Sequence, residues 1–261
     1  MNGQVLLSFD VEEFDIPLEY GFNIEPGEQL AKGKKGLDML MPLLDFHKIS
    51  CTMFTTANFG MHYPDSIRKL AENHEIASHT FYHSSFQNSD LVKSKATLES
   101  ITGKKVVGLR MPKMQKVESI EILKAGYTYD SSINPTWLPG RYNNLNKPRT
   151  LFIEDEIFRI PATVSPMMRL PLFWLGFKNY PYNFFKHLCL TCLKSDGYVC
   201  LYFHPWEFID LSNYNLPRFI KNPSGGKLLE RIDKMINDLK MDHEFINIQS
   251  FLETKQVRRI E

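Results

Sequence analysis

Residues 5–15 read VLLSFDVEEFD, an apolar run that stops abruptly at Asp10 and continues into further acids. Apolar runs of this length suit buried strands of a parallel sheet. Three later runs also end in a chemically active side chain, and the four residues at these ends are Asp10, His79, Arg110 and His204. In a parallel β/α barrel, the active site lies where the carboxyl ends of the strands meet. The pattern therefore predicts an α/β fold with a parallel barrel, in which these four side chains converge.

The rest of the chain reads as strands alternating with helices, which is typical of a mainly parallel sheet. The predicted strands are 5–9, 50–55, 75–78, 106–109, 157–160, 198–203 and 245–248, and the predicted helices are 67–72, 119–125 and 227–241. No repeat or Pro/Gly/Ser-rich linker divides the sequence, so a single domain over residues 1–261 is expected.

Composition excludes several classes of protein. The 261 residues carry 31 Lys and Arg against 30 Asp and Glu, a net charge of +1 that argues against nucleic-acid binding. We expect no transmembrane segment and no secretory signal, and therefore a cytoplasmic protein with reduced thiols. Cys189 and Cys192 have C-x-x-C spacing but no second pair, and their apolar surroundings predict a buried helix. The sequence carries no signal of oligomeric state.

Two groups of residues have the chemistry of metal ligands. His79 and His83 are four residues apart, so on a helical turn both imidazoles would reach one ion. Asp10 and Glu12 alternate, so in extended backbone they point the same way, and one could bind metal while the other acts as a base. Two histidines with a carboxylate form a known catalytic zinc arrangement. Each group alone is equally consistent with structural histidines and a solvated acidic loop.

Two further residues suggest acid–base chemistry. Arg110 at a strand end could hold a carboxylate base by a bidentate contact, or form a structural ion pair. His204 closes an aromatic strand, where its ring nitrogens need partners. Partial burial beside a carboxylate would suit His204 to acid catalysis near neutral pH.

Taken together, these residues resemble a known family. Ser8-Phe9-Asp10, His79-Thr80-x-x-His83, Arg110-x-Pro112 and Leu201 to His204 occur in the order of the polysaccharide deacetylase motifs, which define the NodB homology domain of carbohydrate esterase family 4. The ending His204-Pro205-Trp206-Glu207 resembles a subgroup with Asp-Val-Glu near the N-terminus. The resemblance extends from about residue 5 to residue 208.

The resemblance implies a distorted, seven-stranded parallel (β/α) barrel and a metal-dependent hydrolase that removes N-acetyl groups from amino sugars. By position it implies Asp10 as the base, His79 and His83 as metal ligands, Arg110 as the residue that orients the base, His204 as the acid, and Asp130 as the carboxylate that supports the acid. The family's usual second aspartate is Val11 here, so Glu12 is expected to replace it as the third ligand. Lys113 follows Pro112 where the family usually has Tyr, and its backbone N–H is the expected oxyanion donor.

The expected cofactor is a divalent metal, zinc, and the expected partner is an N-acetylated carbohydrate. Trp137, Trp174 and Trp206 are candidates for a sugar-stacking wall, although aromatic residues are more often core. Residues 167–182 are a candidate lid or lipid-facing patch. Two alternatives stay open, namely a cyclic amide or ureide hydrolase on the same barrel and a catalytically silent carbohydrate-binding barrel.

Overall fold

The computed structural model describes the backbone of residues 3–260 and the side chains of residues 3–255. The strands are β1 (Gln4–Val11), β2 (Thr52–Thr55), β3 (Glu75–Ser78), β4 (Gly108–Leu109), β5 (Tyr129–Asp130), β6 (Trp137–Leu138), β7 (Tyr142–Asn143), β8 (Phe152–Glu154), β9 (Ile157–Arg159), β10 (Tyr198–Phe203) and β11 (Glu244–Phe245). The helices are α1 (Ile16–Glu19), α2 (Pro26–His47), α3 (Ala57–His62), α4 (Pro64–Asn73), α5 (Ser89–Thr102), α6 (Ser119–Lys124), α7 (Trp174–Asn179), α8 (Tyr182–Asp196), α9 (Arg218–Lys221), α10 (Gly226–Lys240) and α11 (Ile248–Ile260). Short 3₁₀ turns span Pro112–Met114 and Pro205–Phe208.

The main sheet is a parallel series in the order β10-β1-β2-β3-β4-β5-β9, which makes seven strands. Strand β8 adds to β9 in antiparallel fashion, and β11 pairs with the start of β1. After β9 the chain crosses to β10, where the Thr163 N–H donates to the Cys200 carbonyl at 2.9 Å. The α/β fold with a curled parallel sheet is therefore confirmed, and it forms a half-barrel rather than a ring of paired strands.

Strand β1 shows how the alternation of side chains builds both the core and the site. Its odd-numbered residues, Val5 to Val11, pack in the large core beneath the helices, whereas Leu6 packs in a separate cluster on the other face. Asp10 and Glu12 continue the even-numbered face and line the cavity at the end of the strand. The two carboxylates thus point the same way, as the sequence predicts.

Helix α2 lies directly against the backbone that carries the site. A β-carbon on Gly33 would lie 2.3 Å from the Glu12 carbonyl oxygen, and one on Gly36 would lie 2.0 Å from the Pro205 carbonyl oxygen. Both distances are far inside van der Waals contact, so only glycine permits this packing. The two glycines let α2 hold the segments after β1 and β10 against each other.

We expect Gly36→Ala to lower the free energy of unfolding by roughly 1–3 kcal/mol, because the added methyl group forces backbone apart. Gly27→Ala on the same helix is the matched control, since nothing lies within 4 Å of a β-carbon there. We expect that control to be neutral or slightly stabilised. Chemical denaturation of both variants checks the prediction, and equal losses of stability would contradict it.

Most predicted elements are confirmed. The predicted strands 75–78 and 198–203 match β3 and β10, and the predicted helix 227–241 matches α10 within one residue at each end. The predicted strand 245–248 is wrong in its second half, since β11 ends at Phe245 and α11 begins at Ile248, whose N–H is held by the Thr52 hydroxyl.

Cysteine and membrane predictions are also tested by the structure. Cys189 and Cys192 lie buried in α8 with free thiols, as predicted. Across residues 3–260, no helix combines the length and the apolar character needed to cross a bilayer.

Candidate active site

A cavity of about 200 Å³ opens at the carboxyl ends of the parallel strands. Three of the four predicted strand-end residues line it, namely Asp10, His79 and His204. The fourth, Arg110, is fully buried behind Asp10. The structure therefore brings together side chains that are almost 200 positions apart in the sequence.

Glu12, His79 and His83 form a cluster whose ligand atoms all lie within 4.8 Å of one another. The Glu12 Oε2 atom is 3.0 Å from His79 Nε2 and 3.2 Å from His83 Nε2. That oxygen is buried and has no hydrogen-bond partner among the described residues. Buried polar atoms without a partner are rare in proteins, and an ion bound between these three side chains would supply one.

The loop that carries the two histidines is not helical, so the predicted helical turn over residues 79–83 is wrong. Thr80 has φ +63°, and its carbonyl accepts from the Ala57 N–H at 2.9 Å. Phe81 likewise accepts from the Asn58 N–H at 2.9 Å. These hydrogen bonds from the first amides of α3 hold the loop in a bent path. They prevent the helical turn that the spacing of the two histidines suggests. The two imidazoles still stack, with ring centroids 5.6 Å apart.

Each imidazole is oriented by a partner on its Nδ1 atom. His79 Nδ1 donates to the Arg110 carbonyl at 2.8 Å, which leaves Nε2 with its lone pair toward Glu12. His83 Nδ1 lies 2.7 Å from Asp15 Oδ1. Burial opposes a charge on His83, but the carboxylates of Glu12 and Asp15 outweigh it and raise its pKa to about 9. The carboxylates around His83 therefore favour a positive charge at its position. Hydrogen-bond partners on the Nδ1 atoms, as His79 and His83 have here, are typical of histidines that bind metal through Nε2.

Asp10 and Arg110 form a buried ion pair beside this cluster. Arg110 NH1 donates to Asp10 Oδ1 at 2.6 Å and to the Ser8 hydroxyl at 3.1 Å, while its other nitrogens bond Ser131. The guanidinium also lies over the Phe54 ring at 4.0 Å. Burial tends to raise the pKa of Asp10, but the charge and hydrogen bond of Arg110, together with the nearby His79 and His204, outweigh it and hold the pKa below its ordinary value. Asp10 is therefore an ionised carboxylate with Oδ2 free toward the cavity.

His204 faces Asp10 across the cavity, with Nε2 3.9 Å from Asp10 Oδ2. Its Nδ1 atom and its backbone N–H both contact Glu207 Oε1, at 3.0 Å and 2.9 Å. Lys178 Nζ lies 3.1 Å from the other oxygen of Glu207, and both of these side chains are fully buried. Burial lowers the pKa of His204, but the hydrogen bond to Glu207 and nearby carboxylates outweigh it and raise the pKa above 6.5.

Asp130 does not support the acid, so this prediction is wrong. Its carboxylate pairs with Arg159 at 2.7 Å and accepts from the Ser132 hydroxyl, away from the residues that line the cavity. Glu207 occupies the supporting position instead, because the 3₁₀ turn after β10 folds it back onto His204. The three-residue spacing of His204 and Glu207 was a usable signal in the sequence. Sequence reasoning gave no role to Asp15, although it is the last acid of the run after β1, and no local pattern marks Lys178.

Lys113 and the three tryptophans predicted to contact substrate lie at different positions relative to the cavity. Lys113 lines the cavity with φ +55°, and its backbone N–H has no acceptor among the described residues. Trp174 lines the cavity, whereas Trp137 is 60% exposed and is not among the lining residues. Trp206 is only 2% exposed and donates its indole N–H to Glu12 Oε1 at 2.9 Å. Its ring stacks on His204 at 4.8 Å, so Trp206 holds the site together and offers little surface to a sugar.

The segment 167–182, a candidate lid, is firmly anchored along most of its length. Phe173, Phe177 and Lys178 are buried, and a β-carbon on Gly176 would lie 2.0 Å from the Pro171 carbonyl oxygen. Met167 and Met168 at its start are 94% and 75% exposed, and Asn179 and Pro181 near its end are also exposed. The segment forms a wall of the cavity through Trp174.

Comparisons with known proteins show what this chain is similar to. A family model described as polysaccharide deacetylase matches residues 22–129, a segment that contains both histidines of the cluster and Arg110. The similarity to this family covers 108 of the 261 residues. Asp10 and His204 lie outside the matched segment, but in the structure Asp10 pairs with Arg110 of that segment and His204 faces Asp10. A search of curated proteins finds no match to this sequence.

Solved structures extend the similarity of fold over nearly the whole chain. A protein from Mycobacterium smegmatis assigned to the polysaccharide deacetylases has a TM-score of 0.65 at 18% identity, covering 98% of this chain and 91% of that one. The allantoinase Puue has a TM-score of 0.61 at 15% identity, covering 95% and 88%. BA3943 from Bacillus anthracis, a pseudoenzyme of carbohydrate esterase family 4, has a TM-score of 0.52 at 12% identity, covering 95% and 65%. At these identities the similarities show the fold alone.

Proposed function

We propose that this protein is a member of the polysaccharide deacetylase family and a metal-dependent N-deacetylase of an amino sugar or an N-acetylated glycan precursor. The observation that carries the proposal is the position of Asp10 and His204 on opposite sides of the cavity, 3.9 Å apart and next to the Glu12, His79 and His83 cluster. An ionised carboxylate, a protonated imidazole and a cation site can together supply the base, the acid and the Lewis acid of metal-assisted amide hydrolysis. The match of residues 22–129 to the polysaccharide deacetylase family model supports a hydrolase of carbon–nitrogen bonds with a carbohydrate substrate.

Glu12, His79 and His83 fit a divalent metal and are the proposed ligands. The unpartnered Glu12 Oε2 faces both Nε2 atoms, and each histidine is fixed through Nδ1. Two nitrogens and one carboxylate oxygen, with a side open to the cavity, suit zinc. A bound metal ion supplies Lewis-acid activation of the acetamide carbonyl and of water.

The chain's own residues supply the proton transfers. Asp10 Oδ2 accepts a proton from the attacking water, while Arg110 keeps the carboxylate charged and aligned through Oδ1. The Lys113 N–H, which has no acceptor in the part of the chain that the structure describes, donates to the oxyanion that develops on the acetamide oxygen. As the carbon–nitrogen bond breaks, His204 Nε2 gives its proton to the departing nitrogen, and the products are acetate and the free amine. Glu207 accepts from His204 Nδ1–H and stabilises the imidazolium, the form that carries a transferable proton on Nε2.

The proposal is tested by acetate release from a panel of N-acetylated sugars, free, phosphorylated and oligomeric, with the metal content of the purified protein measured in parallel. We expect chelation to abolish turnover and zinc to restore it. Turnover that survives complete metal removal would contradict the metal-dependent mechanism.

The same assays separate the two alternatives. Hydrolysis of cyclic amides or ureides without acetate release from any sugar would indicate the alternative activity. Sugar binding without any turnover would indicate a silent barrel, although the intact Asp10–Arg110 and His204–Glu207 contacts favour an active enzyme. The expected cytoplasmic location, which fractionation can test, favours a biosynthetic precursor over a finished wall polymer.

We expect Trp206→Phe to weaken zinc binding about 10- to 100-fold, because phenylalanine keeps an aromatic ring but cannot donate to Glu12 Oε1. Trp174→Phe is the matched control, since Trp174 also contacts His204 through its ring and its indole N–H makes no hydrogen bond to a described residue. Competition with a chromophoric chelator measures both affinities. Wild-type affinity in Trp206→Phe, or an equal loss in the control, would contradict the prediction.

A further inference from the structure

Three charged side chains from separate elements meet at the outer part of the cavity. Glu19 of α1 accepts from Lys113 Nζ at 3.0 Å and from Arg141 NH2 at 2.7 Å, using a different oxygen for each. All three residues line the cavity. Their side chains are 24–45% exposed, whereas Glu12 and His79 deeper in the cavity are almost fully buried.

The backbone that presents Lys113 is strained. Lys113 and Met114 both have φ +55°, a left-handed conformation that is unfavourable for residues with a β-carbon. Such outliers persist where the surrounding structure enforces them, and they cluster at binding and catalytic sites. Here the strained turn after β4 presents Lys113 at the cavity.

The two cations of this cluster share one carboxylate as their direct ion-pair partner. Deeper in the cavity, Arg110 matches Asp10, and behind His204 the charge of Lys178 matches Glu207. At the mouth, Lys113 and Arg141 both pair with Glu19, while the nearby carboxylate of Asp15 is held by His83. A partly exposed ion pair of this kind contributes little stability, so a ligand can displace Glu19 at low cost.

We propose that Lys113 and Arg141 form an anion subsite, and that the substrate of this enzyme carries a carboxylate or phosphate group in addition to its N-acetyl group. The anion binds the Lys113 ammonium and the Arg141 guanidinium, whose planar fork matches both groups, and it displaces Glu19 from at least one of them. This inference rests on the proposed deacetylase function and specifies the substrate class of the same cavity.

The test compares N-acetylglucosamine, its 1-phosphate and N-acetylmuramic acid, which differ in carrying no anion, a phosphate or a carboxylate. We expect one or both anionic compounds to have kcat/KM about 10- to 100-fold above the neutral sugar, mainly through KM. Preference for the phosphate or for the carboxylate identifies the source of the anion. Equal kcat/KM for all three compounds would overturn the inference and leave the deacetylase proposal standing.

Variants separate a local contact from a general effect of charge. Lys113→Met removes the ammonium but keeps the backbone N–H. We expect the ratio of kcat/KM for the anionic compounds to kcat/KM for the neutral sugar to fall most of the way to one, whatever the change in the rate on the neutral sugar. Lys116→Met removes the same charge three residues away, from a side chain that is 80% exposed and outside the cavity lining, and it should retain the preference. Glu19→Gln removes the competing carboxylate and should strengthen anion binding several-fold. Equal losses in Lys113→Met and Lys116→Met would contradict a subsite.

A binding measurement keeps this test independent of turnover. Calorimetry with the His204→Gln variant compares N-acetylglucosamine 1-phosphate with N-acetylglucosamine without hydrolysis. If the phosphate binds more tightly than the neutral sugar, and adding Lys113→Met removes the difference, the subsite is supported. This holds even if no acetate release is found, because that result would count against the deacetylase proposal alone. Equal dissociation constants for the two compounds would reject the subsite.

Discussion

The His204→Gln variant is expected to release acetate about 10²–10⁴ times more slowly than the wild type, with zinc binding unchanged. An amine is a very poor leaving group without a proton, and His204 is the acid that faces Asp10 across the cavity. Glutamine preserves a polar side chain of similar reach but cannot transfer a proton at neutral pH. The loss should appear in kcat, since the acid acts as the carbon–nitrogen bond breaks.

The pH dependence provides a second measure of the same role. Because Glu207 and nearby carboxylates outweigh burial, the pKa of His204 lies above 6.5, so the imidazole stays protonated beyond that pH. For the wild type, we expect kcat/KM to fall as pH rises through this pKa. His204→Gln should lack that fall, because it has no group that titrates there.

The control for this prediction is His187→Gln, which changes an exposed histidine on α8 outside the cavity lining. It should retain full activity and the wild-type pH profile. Full activity in His204→Gln on a confirmed substrate, or an unchanged fall at high pH, would show that another group provides the proton.

The outline of this site could be predicted from sequence because its residues follow strand geometry. Asp10, His79, Arg110 and His204 each come directly after a buried apolar run, and parallel strands place such ends together. The alternation along β1 also explains why Glu12 lies on the face of Asp10. These inferences need only local patterns and the rule that the carboxyl ends of parallel strands meet.

The residues behind the site depend on tertiary contacts and could not be predicted in this way. Lys178 lies in an apolar stretch that suggests a lid, and only the fold shows that its ammonium is buried against Glu207. Gly33 and Gly36 argue locally against a helix, since glycine is a poor helix former. In the structure they are what allows α2 to approach the site backbone.

The Arg110→Met variant is expected to lose about 3–5 kcal/mol of stability together with most of its activity. Arg110 has no exposed surface and bonds Asp10, Ser8 and Ser131, so its removal leaves the Asp10 carboxylate buried without a cation. Methionine fills much of the same volume, so the loss reflects charge and hydrogen bonds more than a cavity. Thermal unfolding with the metal-free protein measures the stability without a contribution from zinc.

The double variant Asp10→Asn/Arg110→Met distinguishes a coupled pair from two independent effects. If the cost of Arg110→Met comes mainly from an uncompensated carboxylate, then neutralising Asp10 should recover part of the stability, about 1–3 kcal/mol relative to additivity. Asp10→Asn alone should cost less than Arg110→Met, because the guanidinium keeps its bonds to Ser8 and Ser131. Additive losses in the double variant would mean that Arg110 acts through Ser131 and the Phe54 ring rather than through the base. We expect Asp10→Asn, Arg110→Met and the double variant all to lack most of the wild-type activity, because each lacks the base, the charge that keeps the base ionised, or both.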